Sequence, residues 1–158
     1  MTGKTKFNVD KDVVKRTYDG IVFDSVLEMR YYRDFVLPRL GSGELAKCEL
    51  QVPYTLQEKF KHVGADGKLV SVRAITYVAD FVLTWSNGLV QVIDTKGMPD
   101  TTAKLKRKLF WYKYPDIDYQ WVTYSQKYAK ETGGWIEYEK LAKIRRDAKK
   151  AKKSEGKK

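Results

Sequence analysis

The chain has 158 residues, of which 42% are hydrophobic and 32% are charged, and it carries 11 Tyr, 6 Phe and 4 Trp. This length and this apolar content predict one folded domain with its own core, and they exclude wholesale disorder. The formal net charge of +11 points to a polyanionic partner.

The composition also bears on the compartment of the protein. No apolar run approaches the roughly 20 residues that span a bilayer, and residues 1–10 lack the apolar stretch of a signal peptide. Cys48 is the only cysteine, which excludes an intrachain disulfide and a Cys-based zinc cluster. We therefore expect a soluble, cytoplasmic protein without membrane association.

The positive charge is concentrated at the end of the chain. Residues 140–158 hold ten basic and two acidic residues, a net charge of +8, which leaves +3 for the rest of the chain. Nucleic acid is the partner that such a segment indicates, because each neutralised phosphate releases condensed counterions. A solvated tail that only aids solubility is the alternative. We expect a polar segment over 1–17, a folded domain over 18–144 and a basic, disordered tail over 145–158.

The first predicted helix covers residues 26–36. Ser25 is its candidate N-cap, and Glu28 stands three residues later, as in a capping box. Pro38 and the Gly-Ser-Gly sequence after it are expected to end the helix.

The rest of the chain alternates strands with two more helices. Pro53 places the first long strand at a sheet edge or at a bulge, because proline cannot donate a ladder hydrogen bond. Short links between the elements predict the α/β class, with a mixed central β-sheet flanked by helices. The elements expected after the first helix are a strand over 45–57, a loop over 61–68, strands over 69–85 and 89–95, a helix over 103–114, a strand over 119–124 and a helix from Trp135 whose apolar pattern stops at Ile144.

Two of these strands form the clearest hairpin signal, with Ser86-Asn87-Gly88 between them. If all three residues form the loop, with Gly88 in the left-handed conformation, Asp80 lies directly opposite Asp94. A two-residue loop would instead place Asp94 on the other face of the sheet. Lys96 projects from the same face as Asp94, two residues further along the strand.

Opposed carboxylates repel each other unless a cation lies between them. Mg²⁺ suits the pair of Asp80 and Asp94, because it takes one or two carboxylates together with waters and phosphate oxygens. Lys96 could orient or deprotonate an attacking water, or stabilise charge that develops on a phosphate. The alternative is a structural Asp-Lys pair at the end of a sheet.

Glu28 is a fourth candidate for this site. Tyr31, Tyr32 and Phe35 follow it at helical spacing, so its carboxylate is expected to point toward the core. The alternative is a local role, in which Glu28 only completes the capping box with Ser25.

These residues resemble the signature of the PD-(D/E)XK nucleases, with Glu28 on the first helix, Asp80 on a hairpin strand and Asp94-Thr95-Lys96 on the next. Over roughly residues 20–125 the chain is most similar to the small phage-encoded, Holliday-junction-resolvase-like endonucleases. One departure is Ala79, which stands where the motif has proline. The motifs that carry this similarity are Phe23-Asp24-Ser25-Val26-Leu27-Glu28, Gln51-Val52-Pro53-Tyr54, Tyr77-Val78-Ala79-Asp80-Phe81, Val92-Ile93-Asp94-Thr95-Lys96-Gly97 and Lys106-Arg107-Lys108-Leu109-Phe110.

The resemblance implies a restriction-endonuclease-like αβββαβ core and a metal-dependent endonuclease acting on branched or double-stranded DNA, in particular a Holliday junction resolvase of phage recombination or DNA processing. Asp80 and Asp94 would bind Mg²⁺ or Mn²⁺, with Lys96 as the catalytic lysine and Glu28 as an additional catalytic acid. Symmetric cuts in a four-way junction call for a C2 homodimer. The location would be the cytoplasm, that of an infected bacterium if the protein is phage-encoded. The alternative is a non-catalytic, structure-selective nucleic-acid-binding protein, whose binding would not depend on the two aspartates.

The helix that follows the candidate site carries cations on more than one side. Lys104 and Lys108 share one side and are the first choice for contacts with the DNA backbone. Leu105, Leu109 and Tyr112 are the predicted packing stripe, and Trp111, Tyr112 and Tyr114 are expected in the core rather than as base-stacking platforms. The candidate DNA-binding residues are Lys104, Lys106, Arg107, Lys108, Lys113, Arg145, Arg146, Lys149 and Lys150.

Overall fold

The structure, a computed structural model, describes residues 12–155, so most of the predicted segment 1–17 and the last three residues of the predicted tail lie outside the described residues. The described part begins with a 3₁₀ turn, Val14–Arg16. The strands are β1 (Thr17–Tyr18), β2 (Ile21–Val22), β3 (Leu45–Gln57), β4 (Phe60–Val63), β5 (Leu69–Val72), β6 (Ile75–Trp85), β7 (Val90–Thr95), β8 (Asp118–Tyr124) and β9 (Trp135–Glu137). The helices are α1 (Val26–Tyr31), α2 (Leu37–Ser42), α3 (Thr101–Lys113) and α4 (Tyr138–Glu155).

A five-stranded mixed sheet organises the molecule, in the order β3-β6-β7-β8-β9. Strands β7 and β8 are parallel, while the other neighbouring pairs are antiparallel. The parallel pair requires a crossover, and α3 supplies it. The predicted mixed α/β class is therefore confirmed. Strand β3, which contains Pro53, lies at the sheet edge, as the missing proline donor predicts.

The first helix starts where predicted but does not end where predicted. The Ser25 hydroxyl oxygen accepts a hydrogen bond from the Glu28 backbone N–H at 3.1 Å, which confirms the N-cap. The chain then passes through a π-helical segment, Tyr32–Val36, and continues through Pro38 in α2 to Ser42. Proline has no N–H and clashes with the preceding turn of an α-helix, so the wider π turn lets the helical path continue.

The hairpin of β6 and β7 has the register that the three-residue loop predicts. Phe81 pairs with Ile93 and Val82 pairs with Val92. Gly88 has a φ of +88° and donates its N–H to the Trp85 carbonyl at 2.9 Å. This conformation favours glycine, so the sequence of the loop sets the register of the strands.

A separate two-stranded ribbon, β4 and β5, stands between β3 and β6 in the chain. The expected loop over 61–68 therefore holds part of a strand, and the expected continuous strand over 69–85 is divided into β5 and β6. The two strands pair only with each other, and their side chains are mostly exposed.

The core lies on both faces of the large sheet. Tyr31 of α1 packs edge-on against Phe81 and Trp135 on one face, with ring centroids 5.1 and 4.9 Å apart. On the other face, Phe110 of α3 packs against Tyr119, with ring centroids 4.6 Å apart. The two helices therefore hold opposite faces of the sheet.

The predicted packing stripe of α3 is wrong for two of its three members, because Leu105 is 56% exposed and Tyr112 is 88% exposed, whereas Leu109 packs against the core as predicted. Trp111 is also exposed, so of the three aromatics expected in the core near the end of this helix only Tyr114 is packed, against Phe110. The inward side instead carries the buried Phe110 and the partly buried Arg107.

The end of the chain also differs from expectation. Residues 135–137 form strand β9 before α4 begins, and α4 continues past Ile144 to Glu155 instead of becoming a disordered tail. Lys, Arg and Ala are strong helix formers, so a solvated helix persists after its apolar stripe stops. Within residues 12–155, no helix has the length and apolarity needed to cross a membrane.

Candidate active site

Asp80 and Asp94 meet where β6 and β7 separate, just beyond the last paired residues of the hairpin. The backbone N–H of Asp80 donates to Asp94 Oδ1 at 3.3 Å. In the other direction, Thr95 donates to Asp80 Oδ2 from its backbone N–H at 2.8 Å and from its hydroxyl at 3.1 Å. The two carboxylates are thus fixed by the backbone of neighbouring strands, as the predicted register requires.

Asp94 is the most deeply buried acid of this group, with 2% of its surface exposed. The Tyr77 hydroxyl donates to its Oδ1 at 2.6 Å, and Lys96 Nζ lies 2.6 Å from its Oδ2. The Tyr119 hydroxyl approaches Oδ2 at 3.5 Å, a longer and weaker contact. A buried carboxylate with an ammonium and a phenol on its two oxygens is held in one orientation.

Glu28 is buried, with 6% of its surface exposed, and it completes the capping geometry. Its carboxylate accepts from the Ser25 hydroxyl at 3.0 Å and from the Asp24 backbone N–H at 3.2 Å. Burial raises the pKa of Glu28 to about 7; the hydrogen bond from Ser25 opposes this rise, while the negative charges of Asp24 and Asp94 add to it. Glu28 therefore caps the helix, and the negative charge of Asp94 also raises its pKa.

The carboxyl groups of the site outnumber its cations, and they shift each other's pKa values. Burial raises the pKa of Asp80 well above its ordinary value, and the charges of Asp94 and Glu28 add to the rise. Burial alone would lower the pKa of Lys96, but the neighbouring carboxylates outweigh it and raise that pKa. Lys96 is consequently an ammonium at neutral pH, and a single ammonium faces three carboxyl groups here.

Because their mutual repulsion disfavours ionisation of both aspartates, the pair of Asp80 and Asp94 is a candidate location for a divalent cation, which would offset that repulsion. Among residues 12–155, no group of three or more His, Cys, Asp or Glu side chains is arranged to hold a metal ion. Two aspartates fit Mg²⁺ better than an ion that needs a full protein cage, because Mg²⁺ keeps several waters and takes substrate oxygens.

Tyr77 and Tyr119 contact Asp94 through their hydroxyls, although the sequence did not identify them as site residues. Tyr119 accepts a hydrogen bond from Trp121 Nε1 at 2.9 Å, and the Arg107 guanidinium lies 3.6 Å from the Trp121 ring centroid. A chain of contacts thus leads from α3 to Asp94. Tyr77 lies in the motif that contains Asp80, but the contact of its hydroxyl with Asp94 depends on how the strands pair.

The candidate DNA-binding residues do not join the acidic cluster, and they fall into different settings. Lys104 and Lys108 are exposed on α3, whereas Lys106 is half-buried. Arg107 is ion-paired with Glu139 and stacked on Trp121, so it has a packing role. The structure places Lys113 beside Glu58 at 3.2 Å. The remaining four, Arg145, Arg146, Lys149 and Lys150, are exposed on α4.

Fold and site together define a mixed α/β protein with a buried carboxylate and lysine cluster at one end of a β-hairpin. The chain belongs to a family described as "Protein of unknown function (DUF1064)", whose model matches residues 4–130. That match includes the cluster of Glu28, Asp80, Asp94 and Lys96. Searches of curated proteins and of solved structures found no match.

Proposed function

We propose that the protein is a metal-dependent endonuclease that hydrolyses phosphodiester bonds in DNA. The observation that carries the proposal is the cluster of Asp80, the buried Asp94 and Lys96 at the end of β6 and β7. The buried Glu28 is near enough for its charge to act on Asp80. The elements around it, α1, β3, β6, β7, α3 and β8, follow the αβββαβ order of a restriction-endonuclease-like core. This order supports the resemblance that the sequence motifs carry.

The energetic cost of the cluster favours a catalytic role over a structural one. Burial and mutual repulsion disfavour the ionised form of Asp80, and removal of charged groups to a protein interior costs stability. Apolar residues could close the end of a hairpin without this penalty. Strongly perturbed acids gathered around one lysine are typical of functional sites. A non-catalytic nucleic-acid-binding protein would not need them.

In the proposed site, Asp80 and Asp94 would hold Mg²⁺ or Mn²⁺. When bound, such an ion activates a water and offsets charge on the phosphate. Tyr77 orients Asp94 through its 2.6 Å hydrogen bond. Lys96, an ammonium, orients the nucleophilic water and stabilises negative charge on the scissile phosphate. Glu28, whose pKa is about 7, can hold or release a proton at its carboxylate near neutral pH.

The cations of α3 and α4 supply the surface for the DNA backbone in this proposal. Lys104 in the first turn and Lys108 in the middle of α3 are exposed, and this helix begins a few residues after Lys96. The substrate we propose is branched DNA, with four-way junctions first, cut by a C2 homodimer in the cytoplasm. The two cuts need two sites related by symmetry.

The test is a cleavage assay with labelled linear duplex, flap and four-way-junction DNA, each with Mg²⁺, with Mn²⁺ and with EDTA. We expect cleavage that requires the metal and is fastest on branched DNA. The Asp94→Asn protein, purified in parallel, controls for contaminating nucleases. Binding of all three substrates without cleavage in either metal would instead favour the non-catalytic alternative.

A further inference from the structure

The outer face of α3 exposes large apolar side chains. Leu105 and Tyr112 are seven residues apart, with Lys108 between them, so the three share one face of the helix. Tyr112 is 88% exposed, and Met98 in the loop before the helix is equally exposed. Leu105 and Tyr112 together place exposed apolar groups on one face of a helix, and apolar surface grouped in this way is what a binding surface offers.

The charge of α3 identifies the kind of partner. Residues 101–113 contain five cations and no Asp or Glu. A second copy docked through the same face would bring Lys104 and Lys108 against their own counterparts, and such like charges oppose association. A partner that offers both negative charge and flat apolar groups fits better. A nucleic acid strand has both, as phosphates and bases.

Whether Tyr112 can reach the face of a base distinguishes an unpaired strand from a duplex as the partner. The bases of a duplex are stacked on one another, so their faces are closed to a side chain such as Tyr112. Unpaired bases are free to stack on aromatic rings, while lysines follow the phosphates. Lys104, Lys108 and Tyr112 are spaced by four residues, which aligns two cations and a ring along one strip of α3.

We propose that the outer face of α3 binds unpaired nucleotides of the DNA substrate, with a base stacked on Tyr112 and flanking phosphates on Lys104 and Lys108. This inference rests on the proposed function and deepens it, because it names the feature of branched DNA that the protein recognises. Leu105 extends the apolar strip next to the stacked base.

The test is equilibrium binding of the full-length protein in EDTA, so that no cleavage occurs. Fluorescence anisotropy with a labelled single strand and with the duplex of the same sequence gives two dissociation constants at one salt concentration. Tyr112→Ala should raise the constant for the single strand about tenfold and leave that for the duplex nearly unchanged. Tyr112→Phe keeps the ring and should restore single-strand binding.

The inference is overturned by no loss on the single strand, by an equal loss on both probes, or by a Tyr112→Phe protein as weak as Tyr112→Ala. A dimer that dissociates in the Tyr112→Ala protein, measured by sedimentation velocity, would overturn it too and assign the face to a second copy. The cleavage assay with Mg²⁺ tests the endonuclease proposal independently of these binding measurements. Cleavage without single-strand selectivity would refute only this inference, while selective binding without metal-dependent cleavage would refute the endonuclease.

Discussion

The Tyr77 hydroxyl donates a 2.6 Å hydrogen bond to Asp94 Oδ1, across the gap where β6 and β7 separate. Asp94 is buried, and its other oxygen lies 2.6 Å from Lys96 Nζ. A carboxylate fixed from both sides presents its oxygens in one direction, so less reorganisation is needed when a metal ion or a phosphate arrives.

Replacement of Tyr77 by phenylalanine removes this hydrogen bond and keeps the ring. We expect Tyr77→Phe to raise the Mg²⁺ concentration for half-maximal cleavage about tenfold, which is typical when a group that orients a metal ligand is lost. The measurement is a Mg²⁺ titration of the initial cleavage rate. Tyr54→Phe, in the same aromatic cluster, is the control and should keep the parental titration. Identical titrations for Tyr77→Phe and the parent would remove the positioning role.

Replacement of either aspartate by asparagine should abolish cleavage, while the two replacements should change stability in opposite directions. Asp80→Asn and Asp94→Asn should each abolish cleavage and keep or tighten junction binding, because less negative charge then faces the phosphates. In EDTA at pH 8, Asp80→Asn should also unfold at higher urea concentration than the parent, because burial and the charges of Asp94 and Glu28 disfavour its ionised form. Asp94→Asn should be less stable than the parent, because Lys96 loses its closest ion pair. Near-normal cleavage by both folded variants would end the metal-site proposal.

Local signals in the sequence predicted the parts of the site that depend on neighbours in the chain. Ser25 and Glu28 predict the start of α1, because the side chain of one binds the backbone N–H of the other three residues later. Gly88 fixes the hairpin loop, and the loop fixes the register that brings Asp80 beside Asp94. These features need no knowledge of the tertiary structure.

The sequence could not reveal features that depend on tertiary contacts. Helix α3 has apolar residues on both sides, and the burial of Phe110 against Tyr119 decides which side faces the sheet. The sequence predicts Arg107 to be a DNA-binding cation, but in the structure it stacks on Trp121 and forms an ion pair with Glu139. The same holds for the hydrogen bond between Tyr77 and Asp94, because 17 residues separate them in the chain.

Glu28 should make the stability of the protein depend on pH. Its pKa rises from the ordinary value of 4.5 to about 7 because of burial, so between these values the folded protein binds more protons than the unfolded chain. Stability from this group is therefore full below pH 4.5 and is lost as the pH rises through about 7.

Glu28→Gln removes this titration and keeps an oxygen that can accept a capping hydrogen bond. The free energy of unfolding of the variant, relative to the parent, should rise across that pH window by on the order of 2 to 3 kcal/mol. Urea denaturation at several pH values between 4.5 and 8 in EDTA measures it. Parallel pH profiles for the two proteins would contradict the assigned cause.

The exposed end of α4 should govern affinity more than chemistry. Leu141 anchors the helix to the body, while Arg145, Arg146, Lys149 and Lys150 are exposed. Deletion of residues 145–158 should weaken DNA binding and flatten its salt dependence, by about 0.9 in the slope of log K against log salt for each lost duplex phosphate contact. Saturating DNA should restore the cleavage rate. A salt slope unchanged by the deletion would assign the segment to solubility.

Lys96 provides the sharpest distinction between a catalytic ammonium and a structural counter-ion. If it only balances the charge of Asp94, Lys96→Arg should keep most of the cleavage rate, since the guanidinium is also a cation. If it places a compact charge against a water and a phosphate, the wide and planar guanidinium is a poor substitute. We expect Lys96→Arg and Lys96→Ala both to lose most cleavage in single-turnover assays at saturating DNA.

The control measurements for Lys96 decide whether such a loss comes from the chemistry. Its Nζ is 2.6 Å from Asp94 Oδ2, and its side chain is 25% exposed, so a guanidinium has room to extend toward solvent while it keeps an ion pair. Lys96→Arg should therefore keep the parental junction affinity and melting temperature. Lys140→Arg, in an exposed ion pair with Glu137, is the matched change and should cleave normally. Parental single-turnover rates for Lys96→Arg would leave charge balance as the role of this lysine, because a bulky cation would then serve equally well beside the aspartates.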